Sequence, residues 1–194
     1  MTSASGPTSA SGPTSLSDAA LVRSARLGDR EAFGAIVERH GPALYRFVRR
    51  MVRDHGEAQD VVQEAFVAAW RSIDRFDGRS TLSTWLFGIA SHKARDTLRR
   101  RRPEPMDPDL MTRPGHDTID RSARSNPEEA VFFTELAQAL AALPDRQRAA
   151  WLLTQVEGLT TVEAAEALRM TPDAVRGQLA RARVSLTQRL EAWR

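Results

Sequence analysis

Between Pro103 and Ser125 the chain reads PEPMDPDLMTRPGHDTIDRSARS, rich in Pro, Asp and Gly and without periodic apolar residues. On both sides apolar side chains recur every three or four positions, the spacing that lines one face of an α-helix. An unstructured break of this length is uncommon inside one compact bundle. The chain is therefore expected to be all-α: two helical domains, residues 16–102 and 126–194, joined by a flexible linker, residues 103–125. Residues 2–13 repeat TSASGP twice. Small and polar residues of this kind bury too little apolar surface to offset ordering entropy, so residues 1–15 are expected to form a disordered tail.

Local signals place the helices. Ser17 caps a first helix that Gly28 closes, and a second is expected to break at Gly41-Pro42. A third carries Val62, Phe66, Trp70 and Ile73 as an amphipathic stripe. After a turn at FDGRS, a fourth runs from about Thr84 through WLFGIASHKARDTLRRRR. Past the linker, Asn126 as cap, Pro127 at the first helical position and Glu129 restart order. The segment PDRQRAAWLLTQVEG forms a further helix ending at Gly158.

The segment GLTTVEAAEALRMTPDAVRGQLARAR, residues 158–183, reads as two short helices divided by a tight turn. Thr171-Pro172-Asp173 starts the second well, with a hydroxyl cap, a proline that loses no needed bond and an acid at the positive dipole end. At about 100° per residue, Val175, Leu179, Ala182, Leu186, Leu190 and Trp193 form its buried stripe. The opposite arc carries Asp173, Arg176, Gly177, Ala180 and Arg181, with Val184 and Gln188 further on. Small residues let a backbone approach a groove, and arginines beside them reach guanine edges or phosphates. The plainer alternative is a solvated helix face.

A second arginine-bearing segment lies in the fourth helix. His92, Arg95, Arg99 and Arg102 share a face, with Trp85 near its root. Cations beside an aromatic suit a single nucleic-acid strand, and the preceding turn DRFDGRSTLS could hold an extruded base. The ordinary reading makes Trp85 core and the arginines a solvated end. On the third helix Asp60, Gln63, Glu64 and Val67 share a face suited either to solvent or to a docking protein. No nucleophile, histidine or metal-ligand set accompanies these carboxylates, so catalysis is not expected there.

Composition narrows the classes. The 194 residues include no cysteine, which excludes disulfides and thiolate metal or redox sites. No cofactor and no metal are expected. Formal net charge is +3 with a pI of about 10.4. Lys93 is the sole lysine, a bias that fits either a GC-rich genome or the planar fork with which arginine grips phosphates and base edges. No apolar run approaches the ~20 residues of a membrane-spanning helix, and the start lacks a charged and then apolar signal, so a cytoplasmic protein is expected.

The stretch DVVQEAFVAAWRSIDRFDGRSTLSTWLFGIASHKARDTLRRRR closely resembles region 2 of the extracytoplasmic-function sigma factors of bacterial RNA polymerase. The stretch LAALPDRQRAAWLLTQVEGLTTVEAAEALRMTPDAVRGQLARARVSL resembles their region 4. Together the blocks extend the resemblance over nearly everything from Leu16 onward. It implies that Asp60, Val61, Gln63, Glu64 and Phe66 grip a coiled coil of core RNA polymerase. It implies that Arg75, Phe76, Arg79, Ser80, Trp85, His92, Arg95 and Arg99 read the promoter −10 element as single strand. Arg176, Gly177, Gln178, Ala180, Arg181 and Arg183 would meet the −35 duplex.

An anti-sigma factor is the further partner the resemblance implies, with the chain a monomer or a heterodimer with that inhibitor. The chain departs from the family pattern at His92, where Asn is frequent. It departs again at Asp173-Ala174, where Gly-Thr is common, and at Gln178, where arginine is frequent. These substitutions are expected to change the promoter sequence read, leaving the class of activity the same. Two other readings fit part of the chain: a stand-alone helix-turn-helix regulator, and a helical adaptor that does not bind DNA.

Overall fold

The computed structural model describes residues 16–101 and 127–191, and among these the regular structure is helical. The expected tail, the linker, the Asn126 cap, Arg102 and Trp193 lie outside the described residues.

Helix α1 (Asp18–Arg26) begins at Ser17, whose hydroxyl accepts from the Ala20 N–H, and ends at Gly28 in the left-handed region at φ 87°. Helix α2 (Arg30–Val52) is capped by Asp29, whose carboxylate accepts from the Glu31 and Ala32 amides at 2.9 and 3.0 Å. The break expected at Gly41-Pro42 does not occur. Proline's φ is already helical, and Pro42 lies on the solvent side, where water can serve the carbonyl that loses its partner. Arg53, left-handed at φ 68°, ends α2, and Asp54 caps α3 (His55–Ser72). A single 3-10 turn (Ile73–Arg75) leads through Asp77–Arg79 into α4 (Leu82–Arg101).

The face that α3 turns to the core matches the expected stripe in part: Phe66 and Ile73 are buried, at 8% and 4% exposure. Ala58, Val61, Ala65 and Ala69 are buried at 3% exposure or less, whereas Val62 and Trp70 are only half-buried. Alanines let α3 lie close to its neighbours, and Val62 and Trp70 are displaced to the margin of the packing. The core itself is Leu21, Ile36, Leu44, Phe47, Met51 and Leu86, with the Phe47 and Phe87 rings edge-on at 5.4 Å. Full burial of each large side chain contributes about 1.5–3 kcal/mol.

The second bundle holds α5 (Pro127–Ala141), α6 (Asp145–Trp151), α7 (Thr161–Leu168) and α8 (Pro172–Leu190). A π-helical turn, Leu152–Val156, continues α6, and Gly158 at φ 75° closes it. Ala139 and Leu143 pack on Ala182 and Leu186, joining α5 to the back of α8. Nothing in the sequence signals contact between the bundles, yet they share one apolar core. Phe87 and Ala90 of α4 belong to the same buried cluster as Ala164 and Leu168 of α7.

Candidate functional site

The helix-turn-helix forms where its capping chemistry predicts. Thr160 and Glu163 make a reciprocal capping box at α7: the Glu163 amide donates to the Thr160 hydroxyl at 3.2 Å, and the Thr160 amide donates to the Glu163 carboxylate at 2.8 Å. Hydrogen bonds from the Thr160 hydroxyl and backbone hold the Glu163 carboxyl below its usual range. The turn passes through Arg169, left-handed at φ 52°, before Thr171 caps α8 by accepting from the Ala174 amide at 3.2 Å.

On α8, Val175, Leu179, Ala182 and Leu186 are buried. Arg176, Ala180, Arg181 and Arg183 are exposed, and Gly177 and Gln178 are half-buried. Arg176 is ion-paired with Asp173 one turn before it. The Arg181 guanidinium folds over Gly177, 3.6 Å from where a Cβ would stand. The outer face of α8 thus carries two arginines drawn along the helix over small residues.

The α4 segment is more enclosed than its composition implies. Arg75 and Arg79 are exposed, Ser80 is half-buried, and Arg79 pairs with Asp77 at 3.1 Å across the turn. Phe76 is 8% exposed and lies under Trp85 with ring centroids 5.3 Å apart. Its ring supports the turn and is not itself on display. Arg26 of α1 donates to the Ile73 carbonyl at 3.3 Å and to that of Phe76, tying the turn to the bundle.

Trp85, Arg95 and His92 are half-buried, and exposed Arg99 pairs with Asp96 at 3.2 Å. A cleft of about 320 Å³ opens here, lined by Thr84, Trp85, Gly88, Ile89, His92, Lys93 and Asp96 of α4 and by Glu166, Ala167 and Arg169 opposite. The Nε2 of His92 is buried without a hydrogen-bond partner. Burial first, then the cations Arg169 and Arg95, lower its pKa from 6.5, against an opposing pull from Asp96.

A third feature lies between α2 and α3. Phe33, Val37, Gly41 and Tyr45 face Gln59, Val62, Gln63, Phe66, Val67 and Trp70 across an open apolar groove of about 580 Å³. Phe33 meets Trp70 edge-on at 5.0 Å and Phe66 at 6.4 Å. Of the five polymerase-binding residues expected, Gln63 and Phe66 line this groove. Exposed Asp60 and Glu64 sit beside it, Glu64 held by Lys93 at 3.1 Å. Val61 is 3% exposed and belongs to the core, because it falls on the alanine side of α3.

Sequence reasoning missed Phe33, Val37, Tyr45 and Trp70 as parts of one surface. The signal available was an excess of large apolar residues on α3 over what one buried stripe accommodates. Among the described residues, no three His, Asp or Glu side chains gather to hold a metal ion, and no helix is long and apolar enough to cross a membrane.

Residues 36–104 match the Sigma-70 region 2 model and residues 133–186 match the Sigma-70 region 4 model. The chain belongs to the sigma-70 family of RNA polymerase sigma factors, within its extracytoplasmic-function group. Among its relatives is the RNA polymerase sigma factor NccH of Alcaligenes xylosoxydans xylosoxydans, 35% identical over 182 residues, covering 90% of this chain and 95% of NccH. Another is the ECF RNA polymerase sigma factor SigW of Bacillus subtilis (strain 168), 30% identical over 176 residues, covering 87% and 94%.

A solved structure of CnrH in complex with the cytosolic domain of CnrY superposes with a TM-score of 0.68 at 32% identity, covering 90% of this chain and 97% of that one. As a sigma factor the chain directs transcription initiation. Its family consists of initiation factors that are not enzymes.

Proposed function

We propose that the three surfaces divide the work of initiation. The outer face of α8, with Arg176, Gly177, Gln178, Ala180, Arg181 and Arg183, reads the −35 duplex in the major groove. The turn at Arg75, Arg79 and Ser80, with Trp85, His92, Arg95 and Arg99 of α4, takes the −10 strand once the duplex opens, and Phe76 braces that turn. The groove between α2 and α3 receives a helical coiled coil of core RNA polymerase. Gln63 and Phe66 meet it inside the groove, and Asp60 and Glu64 meet it at the edge. The protein performs no chemistry of its own and acts in the cytoplasm. An anti-sigma factor is its natural inhibitor, since the related CnrH has been solved with CnrY.

The observation that carries this reading is the groove. An exposed, aromatic-lined channel is a poor surface for a lone DNA-binding regulator and a good seat for a partner helix. Core polymerase supplemented with the purified protein is expected to give run-off transcripts from a cognate promoter. Absence of product across a genomic promoter library counts against the assignment. Holoenzyme binding should weaken steeply with salt, as phosphate contacts require.

A further inference from the structure

A carboxylate heads the row of α8 assigned to the −35 duplex. Asp173, Arg176, Gly177, Ala180 and Arg181 follow one another at spacings of three and four residues or one, so they share a side of the helix. The N-terminal turn of a groove-reading helix is the part that meets base edges. The Asp173 side chain is 86% exposed and that of Arg176 is 61% exposed. Oδ1 of Asp173 accepts from Nη2 of Arg176. The helix cap is supplied by the Thr171 hydroxyl on the Ala174 amide, and an ion pair this open to water adds little to folding. An ionised carboxylate only accepts hydrogen bonds, and beside DNA it faces a row of phosphates, so it suits that surface only opposite a donor.

In the major groove the base-edge donors are the N4 amine of cytosine and the N6 amine of adenine. An arginine fork pairs instead with the O6 and N7 acceptors of guanine. One N–H of the Arg176 fork goes to Asp173, and the others stay available beside the second carboxylate oxygen. The two side chains together therefore offer donors followed by an acceptor. Across its groove edge a G·C pair presents acceptor, acceptor, donor, whereas an A·T pair presents acceptor, donor, acceptor. Only the first complements the Arg176–Asp173 pair.

We propose that Asp173 is a specificity-determining residue for the −35 element: it accepts from the cytosine N4 amine of one G·C pair while holding Arg176 on the guanine of that pair. The inference rests on the outer face of α8 reading that element. Asp173 fixes orientation as well as identity, because an inverted pair sets the N4 amine against the guanidinium. The test uses holoenzyme, the full chain on core polymerase, and a promoter library randomised across the −35 element. Wild type is expected to select G·C in a single orientation at one position, a preference that Asp173→Ala lowers about tenfold. At that position N4-methylcytosine keeps the base pair and the guanine edge but covers the N4 hydrogen that points into the groove. It should weaken wild-type promoter binding about tenfold and leave binding by Asp173→Ala unchanged.

Ratios between promoters do not depend on how much of a variant is folded. The urea midpoint records separately any loss from removing an acid in the first turn of α8. Asp173→Ala that weakens every promoter equally and keeps the wild-type preference overturns the proposal, leaving the residue as a helix-end acid. Wild type that tolerates N4-methylcytosine overturns it too, as does Asp173→Ala that still rejects the methylated base. A different result strikes the underlying reading: if neither Arg176→Ala nor Arg181→Ala alters preference at any −35 position, α8 does not read that element, and the proposal falls with it.

Discussion

Arg148 is the one charged residue buried among the described residues, at 6% exposure, and its surroundings explain why it is tolerated. Its guanidinium donates to the carbonyls of Leu140, Ala141 and Leu143 at the end of α5 and to that of Met51 at the end of α2. Helix C-termini present unpaired carbonyls and partial negative charge, so one planar fork satisfies two helix ends at once. Burial lowers its pKa, but an arginine starts so far above neutral pH that it remains cationic there. Arg148→Met keeps the volume and strands those carbonyls. It should cost about 3 kcal/mol or more, read as a lower urea midpoint, and Arg148→Lys should rescue only part of it.

At the opposite extreme are Arg176 and Arg181, both exposed, whose contacts, an ion pair with Asp173 and a fold over Gly177, are local to α8 and contribute little to stability. Replacing either with alanine should leave stability within about 0.5 kcal/mol while costing about 1–3 kcal/mol of −35 discrimination, measured by competition between promoter variants. These two arginines were legible in the sequence because helical periodicity alone sorts α8 into faces. Arg148 was not, because one arginine in PDRQRAAW looks like any other until distant carbonyls converge on it.

Among the elements, capped helices were the easiest to read and crowded ones the hardest. Ser17, Thr171 and Gly158 announce their ends locally. The path of α3 depends on how near α2 and α4 approach it, so the expected stripe is buried at Phe66 and Ile73 but not at Val62 and Trp70, and Val61, expected on the docking face, lies in the core. Val67, 44% exposed at the groove's margin, separates docking from folding. Val67→Asp places a charge where an apolar helix should seat and should weaken core polymerase binding by about 1–3 kcal/mol, with the urea midpoint unchanged.

The α7 capping box gives an element-scale pH effect. Because the folded pKa of Glu163 lies below the unfolded value of 4.5, its contribution is complete above 4.5 and fades as pH falls through the depressed value. Thr160→Ala should remove about 1 kcal/mol at neutral pH. It should also flatten that acid-side decline in denaturation curves recorded from pH 6 down to pH 3.

For the whole molecule, what local pattern could not disclose is the junction between bundles. Gly88 and Ala167 sit in separate helices with no shared periodicity, and the linker composition alone suggests independence. The junction also gives His92 a role that its position on a basic face does not reveal. Its ring lies between Lys93, Arg95 and Asp96 of α4 and Glu166 and Arg169 opposite, with a pKa below 6.5. Parting the bundles returns the ring to water and its pKa toward 6.5.

Parted bundles therefore bind the proton more readily. The junction is at full strength above pH 6.5 and weakens as pH falls from there through the lowered value. Glu157 acts in the other direction, since its raised pKa favours the junction as pH falls toward 4.5. Single variants separate the two. His92→Asn, which installs the residue frequent in the family, should abolish the opening that begins below pH 6.5. Glu157→Gln should leave that opening intact and steepen its net effect. The distance between labels on cysteines placed at exposed Arg23 and Thr187, recorded from pH 8 to pH 5, decides the matter: a wild-type profile that superimposes on that of His92→Asn would remove the histidine from control of the junction.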